Sequence, residues 1–426
     1  TYLVLLKWHE QARLFWCIHH LVVDGVSWRI LVDDLQTAYS QRKATQPVNL
    51  PAKTSSFKAW AERLADYAKS DELAAHKAYW QALPTVSLPI DNSDGQNRLE
   101  HQQNYTITLS IDETNALLKE VPAAYNTRIN DVLLTALSLA LADWTGESRC
   151  LIDLEGHGRV ALFEDIDLSR TVGWFTSIHP VALTLPAEAD LGTALKTIKE
   201  QLRGIPNEGI GYGLITQLGG EVLPKGDILF NYLGQFEACL ETKAFRFATE
   251  RTGNDVSLKG IRDHLIDING AITQGQLSLN WSYSGDCFKA QTIQTLADRY
   301  QHHLQHLIAH CQKGRQGVTP SDFPLALVTQ TTLDALYTRY PGFSDLYPLS
   351  PMQQGMLFHA LYEPSSGVYF EQMVMTLTHL DTQAFQAAWQ HQLSRHPILR
   401  TAFVIDHSPM LQVVQAEVPL PWREHD

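Results

Sequence analysis

The stretch 132–144 constrains the fold most, because its apolar residues run nearly all the way round the helix they would form. Val132, Leu133, Leu134, Leu137, Leu139 and Leu141 leave no continuous polar face. The spacing therefore predicts a helix lying centrally, with Asn130 placed to cap its start and Gly146 to end it. Thr135, Ser138 and Asp143 interrupt the run, and it falls short of the ~20 apolar residues that a bilayer crossing needs. A chain of 426 residues, 44% hydrophobic and 19% charged, is able to bury a real core and exceeds a single ordinary one, so two or three units are expected.

Helices and strands alternate on both sides of this helix, which predicts an α/β (α+β layered) architecture. Residues 14–20 read as a buried strand in which Leu14, Trp16, Ile18 and His20 face one way and Phe15, Cys17 and His19 the other. After Asp24-Gly25, the residues Val26, Ile30, Leu31, Leu35 and Ala38 recur at helical spacing, with Ser27 or Asp24 as the cap. A second helical stretch, 56–83, carries Trp60, Leu64, Tyr67, Leu73 and Trp80 and ends before the polar run 89–97. Residues 105–111 alternate as a strand wet on one face, and the strand 150–154 delivers Glu155. Asp190 caps a helix with Leu191, Leu195, Ile198 and Leu202 on one stripe, ending at Gly204 and Pro206. Further strands are expected at 228–232 and 277–283, and a long helix at 291–311. The turn-forming run 313–320 is the expected domain boundary.

A formal charge of -13 argues against a phosphate-backbone partner, which is held by clustered Lys and Arg. The cysteines Cys17, Cys150, Cys239, Cys287 and Cys311 are odd in number, widely spaced and never in a C-x-x-C arrangement, as expected of reduced thiols in a cytoplasm. There is no initiator Met or signal segment, and the first residues already read as an apolar strand, so the sequence reads as a fragment of something longer. His302, His306 and His310 recur at helical spacing, but no carboxylate or thiolate joins them, so no metal site is expected. Gly209, Gly211 and Gly213 lack the following Lys-Ser/Thr of a phosphate loop.

Three segments carry the chemistry: His19-His20-Leu-Val-Val-Asp24-Gly25-Val-Ser27-Trp28, Glu155-Gly-His157-Gly-Arg159 and Phe230-Asn231-Tyr232-Leu233-Gly234-Gln235. They offer a base, an acid and polar support, with no activated nucleophile beside them. Such a set suits removal of a proton from a carbon acid next to a carbonyl, where a positioned base works while donors hold the enolate. Gly25 is expected to free the backbone for a sharp turn into the helix.

HHLVVDGVSW resembles the HHxxxDG signature of the condensation superfamily of nonribosomal peptide synthetases, whose two lobes are similar to chloramphenicol acetyltransferase. Asn130-Asp-Val-Leu-Leu-Thr-Ala, Glu155-Gly-His-Gly-Arg159, Arg170-Thr-Val-Gly-Trp-Phe-Thr176, Pro206-Asn-Glu-Gly-Ile-Gly-Tyr-Gly213 and Phe230-Asn-Tyr-Leu-Gly-Gln235 resemble its epimerization branch, over about residues 1–330. Arg159 and Val160 depart from an expected following acidic residue, and His179 stands where an aromatic is common. The resemblance implies a V-shaped pseudo-dimer of lobes with the first truncated at its N-terminus. It places His20 and Glu155 on either side of the α carbon of a carrier-bound aminoacyl or peptidyl thioester, which they would invert from L to D. It further implies that Asp24 pairs with an arginine; Asp24 is expected to hold its loop and His19 to be structural. Asn231 and Tyr232 would orient the thioester, stabilise the enolate or serve the fold, and Arg159 would position Glu155 or anchor a neighbouring loop.

Further on, Tyr347-Pro-Leu-Ser-Pro-Met-Gln-Gln-Gly-Met-Leu-Phe-His359 and Arg395-His-Pro-Ile-Leu-Arg-Thr-Ala-Phe403 resemble the opening motifs of a condensation domain. The expected organisation is 1–97 for the rest of the first lobe, 98–315 for the second lobe, 316–343 for a linker and 344–426 for an incomplete condensation domain. The implied partners are an upstream peptidyl carrier and adenylation domain in the same polypeptide and a downstream condensation domain and carrier, with neither nucleic acid nor membrane involved. No intrinsic cofactor is implied, since the substrate arrives on a 4'-phosphopantetheine arm. Two other readings share parts of this pattern: an amide-forming condensation domain, and a non-catalytic lobe that docks carriers.

Overall fold

A computed structural model describes residues 1–9, 11–235, 245, 246, 248, 250, 253, 256–314, 316–362 and 369–425. The chain divides into two compact units, Thr1–Arg315 and Gln316–Asp426.

The first unit opens with strands β1 (Tyr2–Trp8) and β2 (Gln11–Cys17), which pair antiparallel with each other and, among the described residues, with no further strand. The expected buried strand at 14–20 is thus corrected in two ways. It ends at Cys17, and Leu14 and Phe15 are exposed, because a two-stranded sheet supplies no second layer to cover them. Helices α1 (Gly25–Lys43), α2 (Phe57–Tyr67) and α3 (Asp71–Gln81) follow. The single helical stretch expected at 56–83 is therefore two helices. Ser70 breaks it by capping α3, its hydroxyl accepting from the Leu73 N–H at 3.2 Å.

Strand β3 (Gln102–Thr108) ends before Ile111, which alternation alone assigns to the strand. Ser110 and Glu113 form a reciprocal capping box that starts helix α4 (Ile111–Tyr125) at that residue. The apolar helix α5 (Ile129–Thr145) begins one residue ahead of the expected cap Asn130. Its first turn is closed by Asp131, which accepts from the Arg128 N–H at 2.7 Å and is gripped by both Arg203 Nη atoms. Gly146 ends it in the left-handed conformation, φ 76°.

Strands β4 (Arg149–Gly156) and β5 (Ser177–Thr184), helices α6 (Leu191–Arg203) and α7 (Ile210–Gly213), strands β6 (Ile228–Tyr232), β7 (Ile266–Thr273) and β8 (Gln276–Ser284), and helix α8 (Ala290–Gln312) complete the unit. The sheet order is β3-β8-β7-β6-β4-β5, with β4, β6 and β7 parallel and the other pairs antiparallel. One sheet face packs on helices. Val132, Leu133 and Leu137 of α5 and Ile293, Leu304 and Leu307 of α8 share a core with Ile152, Ile266, Ile268, Phe230 and Trp281, all at 0% exposure. Each such aliphatic side chain stabilises the fold by about 1.5–3 kcal/mol relative to leaving it in water. The opposite face of the central strands carries Asp153, Glu155, Asn231, Asp267 and Asn269, one residue out of step with the core positions.

In the second unit, helix α9 (Gln330–Arg339), strand β9 (Asp345–Pro348), helices α10 (Pro351–Tyr362) and α11 (Thr382–Arg395), and strands β10 (Thr401–Val404) and β11 (Leu411–Val414) form a sheet of order β10-β11-β9 with flanking helices. The segment expected as a linker, 316–343, folds as part of it: Val318, Phe323, Ala326, Val328, Leu333, Leu336 and Phe343 share a core with Leu346, Val404, Leu411 and Val413. Among the described residues no helix is long and apolar enough to cross a membrane. Cys17, Cys150, Cys287 and Cys311 are free thiols; Cys239 lies outside the described residues.

Candidate active site

β2 stops three residues before His20, so strand alternation does not separate the two histidines. A single 3-10 turn, His20–Val22, does so. His19 caps it, its Nδ1 accepting from the Leu21 N–H at 3.1 Å. His20 is left exposed, with its ring edge-on to Trp174 at 6.0 Å between centroids.

Immediately after this turn Asp24 caps α1, accepting from the Ser27 N–H at 2.7 Å. The turn into the helix is made by this extended cap residue, φ -131°, and Gly25 is already the first helical residue, which replaces the sharp turn expected at the glycine. The Asp24 carboxylate also accepts from Arg159 Nη1 at 2.6 Å, Arg159 Nη2 at 3.1 Å and the Phe175 N–H at 3.1 Å. Arg159 further donates to Ser27 Oγ and the Thr171 carbonyl, both at 3.1 Å, and lies 4.1 Å over the Phe175 ring. Ser27 Oγ in turn donates to the Gly173 carbonyl at 2.8 Å and accepts from its N–H at 3.0 Å. Three motifs distant in sequence are thereby fastened at one buried point. Burial pushes the Asp24 carboxyl up, but the bonds from Arg159 and Ser27 outweigh it and hold it below the usual carboxylate range.

Glu155 is the penultimate residue of β4, half-buried, on the face away from the helical core. Burial pushes its carboxyl above the ordinary value. His20 pulls it down, Asp267 pushes it up and His264 pulls it down. His20 and Glu155, 135 positions apart, thus lie within each other's electrostatic reach. β6 runs parallel to β4 with Leu154 opposite Phe230, so Asn231 stands next to Glu155 on the same face. Tyr232 turns to the other side and packs against the hydrophobic core, where burial pushes its phenol up to about 12. Arg29 of α1 donates to the Leu233 carbonyl at 3.0 Å, tying the helix to the segment after β6.

Sequence reasoning misses Asp153, Arg262, His264 and Asp267. His264 Nε2 lies 2.8 Å from Asp153 Oδ2, and Arg262 pairs with Asp267. The signal is present in Asp153, a charged residue in the middle of an apolar strand, which must find a partner when buried. Among the described residues no group of three or more His, Cys, Asp or Glu side chains is arranged to hold a metal ion. His302 lies tilted against His306, ring centroids 3.9 Å apart, while His310 meets the Tyr125 hydroxyl at 2.8 Å.

The sequence and fold of this chain are similar to those of known proteins. Residues 3–323 and 343–426 match the condensation domain family, and the chain belongs to it. A linear gramicidin synthase of Brevibacillus parabrevis is 45% identical over 98% of this chain and 6% of its own length. Bacitracin synthase 3 of Bacillus licheniformis is 38% identical over 94% of this chain and 6% of its own. The chain thus spans a small part of the synthetases it matches. The epimerization domain from the third module of tyrocidine synthetase B superposes with a TM-score of 0.65 at 41% identity, covering 70% of this chain and 69% of that one. The condensation domain of Monacolin K polyketide synthase shares the fold at 16% identity, with a TM-score of 0.54 over 74% of this chain and 73% of that one. The chain is a condensation-superfamily domain of the nonribosomal peptide synthetase type.

Proposed function

We propose that residues 1–315 catalyse L-to-D epimerization at the α carbon of an aminoacyl or peptidyl thioester delivered on the phosphopantetheine arm of a carrier domain. The observation that carries this reading is that His20 and the half-buried Glu155, 135 positions apart in sequence, lie within electrostatic reach of each other. A thioester delocalises the α-carbanion charge onto its carbonyl oxygen. Two groups on opposite sides of that carbon then remove the proton and return one on the other face, inverting the centre. An imidazole can accept or donate a proton, and burial that raises the Glu155 carboxyl leaves more of it protonated, so that it too can give a proton as well as take one. Asn231, beside Glu155, supplies an amide for the enolate oxygen, and the Asp24–Arg159 pair holds the His20 turn in place.

In this reading residues 1–97 and 98–315 are the two lobes of an epimerization domain and 344–426 opens a following condensation domain. The substrate comes from an upstream carrier and adenylation domain, and the D-configured product passes downstream. The 41% identity to an epimerization domain supports it. The other reading is amide formation, the reaction for which the family is named. Full-length protein carrying an L-aminoacyl thioester on its carrier, incubated in D2O, is expected to gain deuterium at the α carbon. His20→Ala and Glu155→Gln are each expected to slow that exchange at least about 100-fold. Exchange at the native rate in either variant, or amide product without exchange in the native protein, overturns the proposal.

A further inference from the structure

A second set of buried ionisable side chains, which the proposed reaction does not use, lies on the sheet face that carries Glu155. Asp153 is two residues before Glu155 on β4 and faces the same way. Asp153 pairs in register with Leu229, and Leu229 with Asp267, so the two aspartates flank one row across three strands. His264, just before β7, spans them: its Nε2 is 2.8 Å from Asp153 Oδ2 and its Nδ1 3.8 Å from Asp267 Oδ1. Arg262 closes the far end, pairing with Asp267 and donating to Gln102 Oε1 at 2.9 Å and to the Ser282 Oγ and carbonyl, each at 2.8 Å. At the near end the Gly226 N–H donates to Asp153 Oδ1 at 2.7 Å. Asp153, His264 and Arg262 are all buried.

Buried ionic rows of this kind contribute little net stability over well-packed apolar residues. Their placement beside a half-buried carboxyl is what gives this one a consequence. We infer that the Arg262–Asp267–His264–Asp153 row, fixed on the sheet face that carries Glu155, holds Glu155 ready to carry a proton opposite His20, with Asp267 and His264 as positioning residues. The inference rests on the reading of Glu155 as an acid–base group. The charged groups acting on Glu155 are His20 from the 3-10 turn, His264 from the segment before β7 and Asp267 from β7, with Asp153 two residues away on the same face of β4 and Arg262 reaching it only through Asp267. Asn231 of β6 and Ile178 of β5 beside it are uncharged. Lys225 and Asp263 act on Asp267 from the outer side. The field at Glu155 has the matching signs, upward from Asp267 and downward from His264.

The test is the pH dependence of α-deuterium exchange in the full-length protein. Asp267→Asn is expected to move the Glu155-dependent limb to lower pH by about one unit, the size of a charge interaction at several ångströms in a partly polar interior. His264→Gln moves it to higher pH by a similar amount, and Asp267→Glu restores the native profile. Shifts of opposite sign are something a general loss of packing does not produce. Titration of the 13C-labelled Glu155 carboxyl, assigned by its disappearance in Glu155→Gln, gives the same displacements without turnover, and either variant alone decides. An unmoved limb, with Glu155→Gln inactive, overturns this inference and leaves the proposed function standing. Native-rate exchange in Glu155→Gln overturns the proposed function instead.

Discussion

Asp24→Asn tests the fastening of the histidine turn. The native carboxylate serves four donors: the Ser27 N–H, both Arg159 Nη atoms and the Phe175 N–H. An asparagine keeps one carbonyl oxygen and turns an NH2 group toward donors, so part of the set is lost, including a charge-assisted bond worth about 1.5–3 kcal/mol. The guanidinium, 8% exposed, would also stay in place without its counter-charge. Breaking a buried pair in this way costs about 3–5 kcal/mol. Because Arg159 retains Ser27 Oγ, the Thr171 carbonyl and the Phe175 ring, the lower end, about 3 kcal/mol, is expected. Urea unfolding followed by tryptophan fluorescence measures it, alongside Arg159→Met and the double variant, which should couple by at least about 1.5 kcal/mol. The pH dependence has a fixed sign. The Asp24 carboxyl is held low in the folded state, so its contribution is fully present above the unfolded value near about 4 and lost as pH falls through the folded value. Asp24→Asn removes that part of the acid slope. A cost under about 1 kcal/mol, additive singles or an unchanged acid limb would refute the reasoning.

Two further outcomes follow from the geometry. Gly158, between Glu155 and Arg159, has φ +64°, and an added Cβ would stand 1.6 Å from the Phe175 carbonyl oxygen. Gly158→Ala is thus expected to cost about 2–4 kcal/mol in urea unfolding and to slow exchange, whereas a variant of native stability would contradict the placement. Burial pushes the Cys150 and Cys311 thiols up to about 11, while Cys17 is exposed. In a Cys239→Ser background a disulfide reagent should label one thiol quickly in the folded protein, and rapid labelling of a second would count against the packing.

The periodic elements were legible because their packing is written in spacing. The all-round apolar pattern of α5 required a central position, and the stripe of α8 required one buried side. Boundaries escaped where a single polar side chain decides them: Ser70 splitting one helical stretch, Ser110 ending β3, Asp131 advancing the start of α5. The exposure of β2 was not legible, since apolar composition says what a strand could bury but not whether a layer covers it. At the site, the motifs pointed to His20, Glu155, Asp24, Arg159 and Asn231, but not to the aromatic and charged residues beyond the motifs' own pairings. Trp174 beside His20 and the His264–Asp153 pair come together across more than a hundred positions, a distance over which periodicity carries no information.

The packing of 316–343 into the second unit bears on how such modules are recombined. A crossover at 343 would leave β9, β10 and β11 without Val318, Phe323, Val328, Leu333 and Leu336, baring a hydrophobic floor on the transplanted piece. A junction at 315 carries α9 and its approach along with the sheet they cover, so those strands keep the residues that shield them.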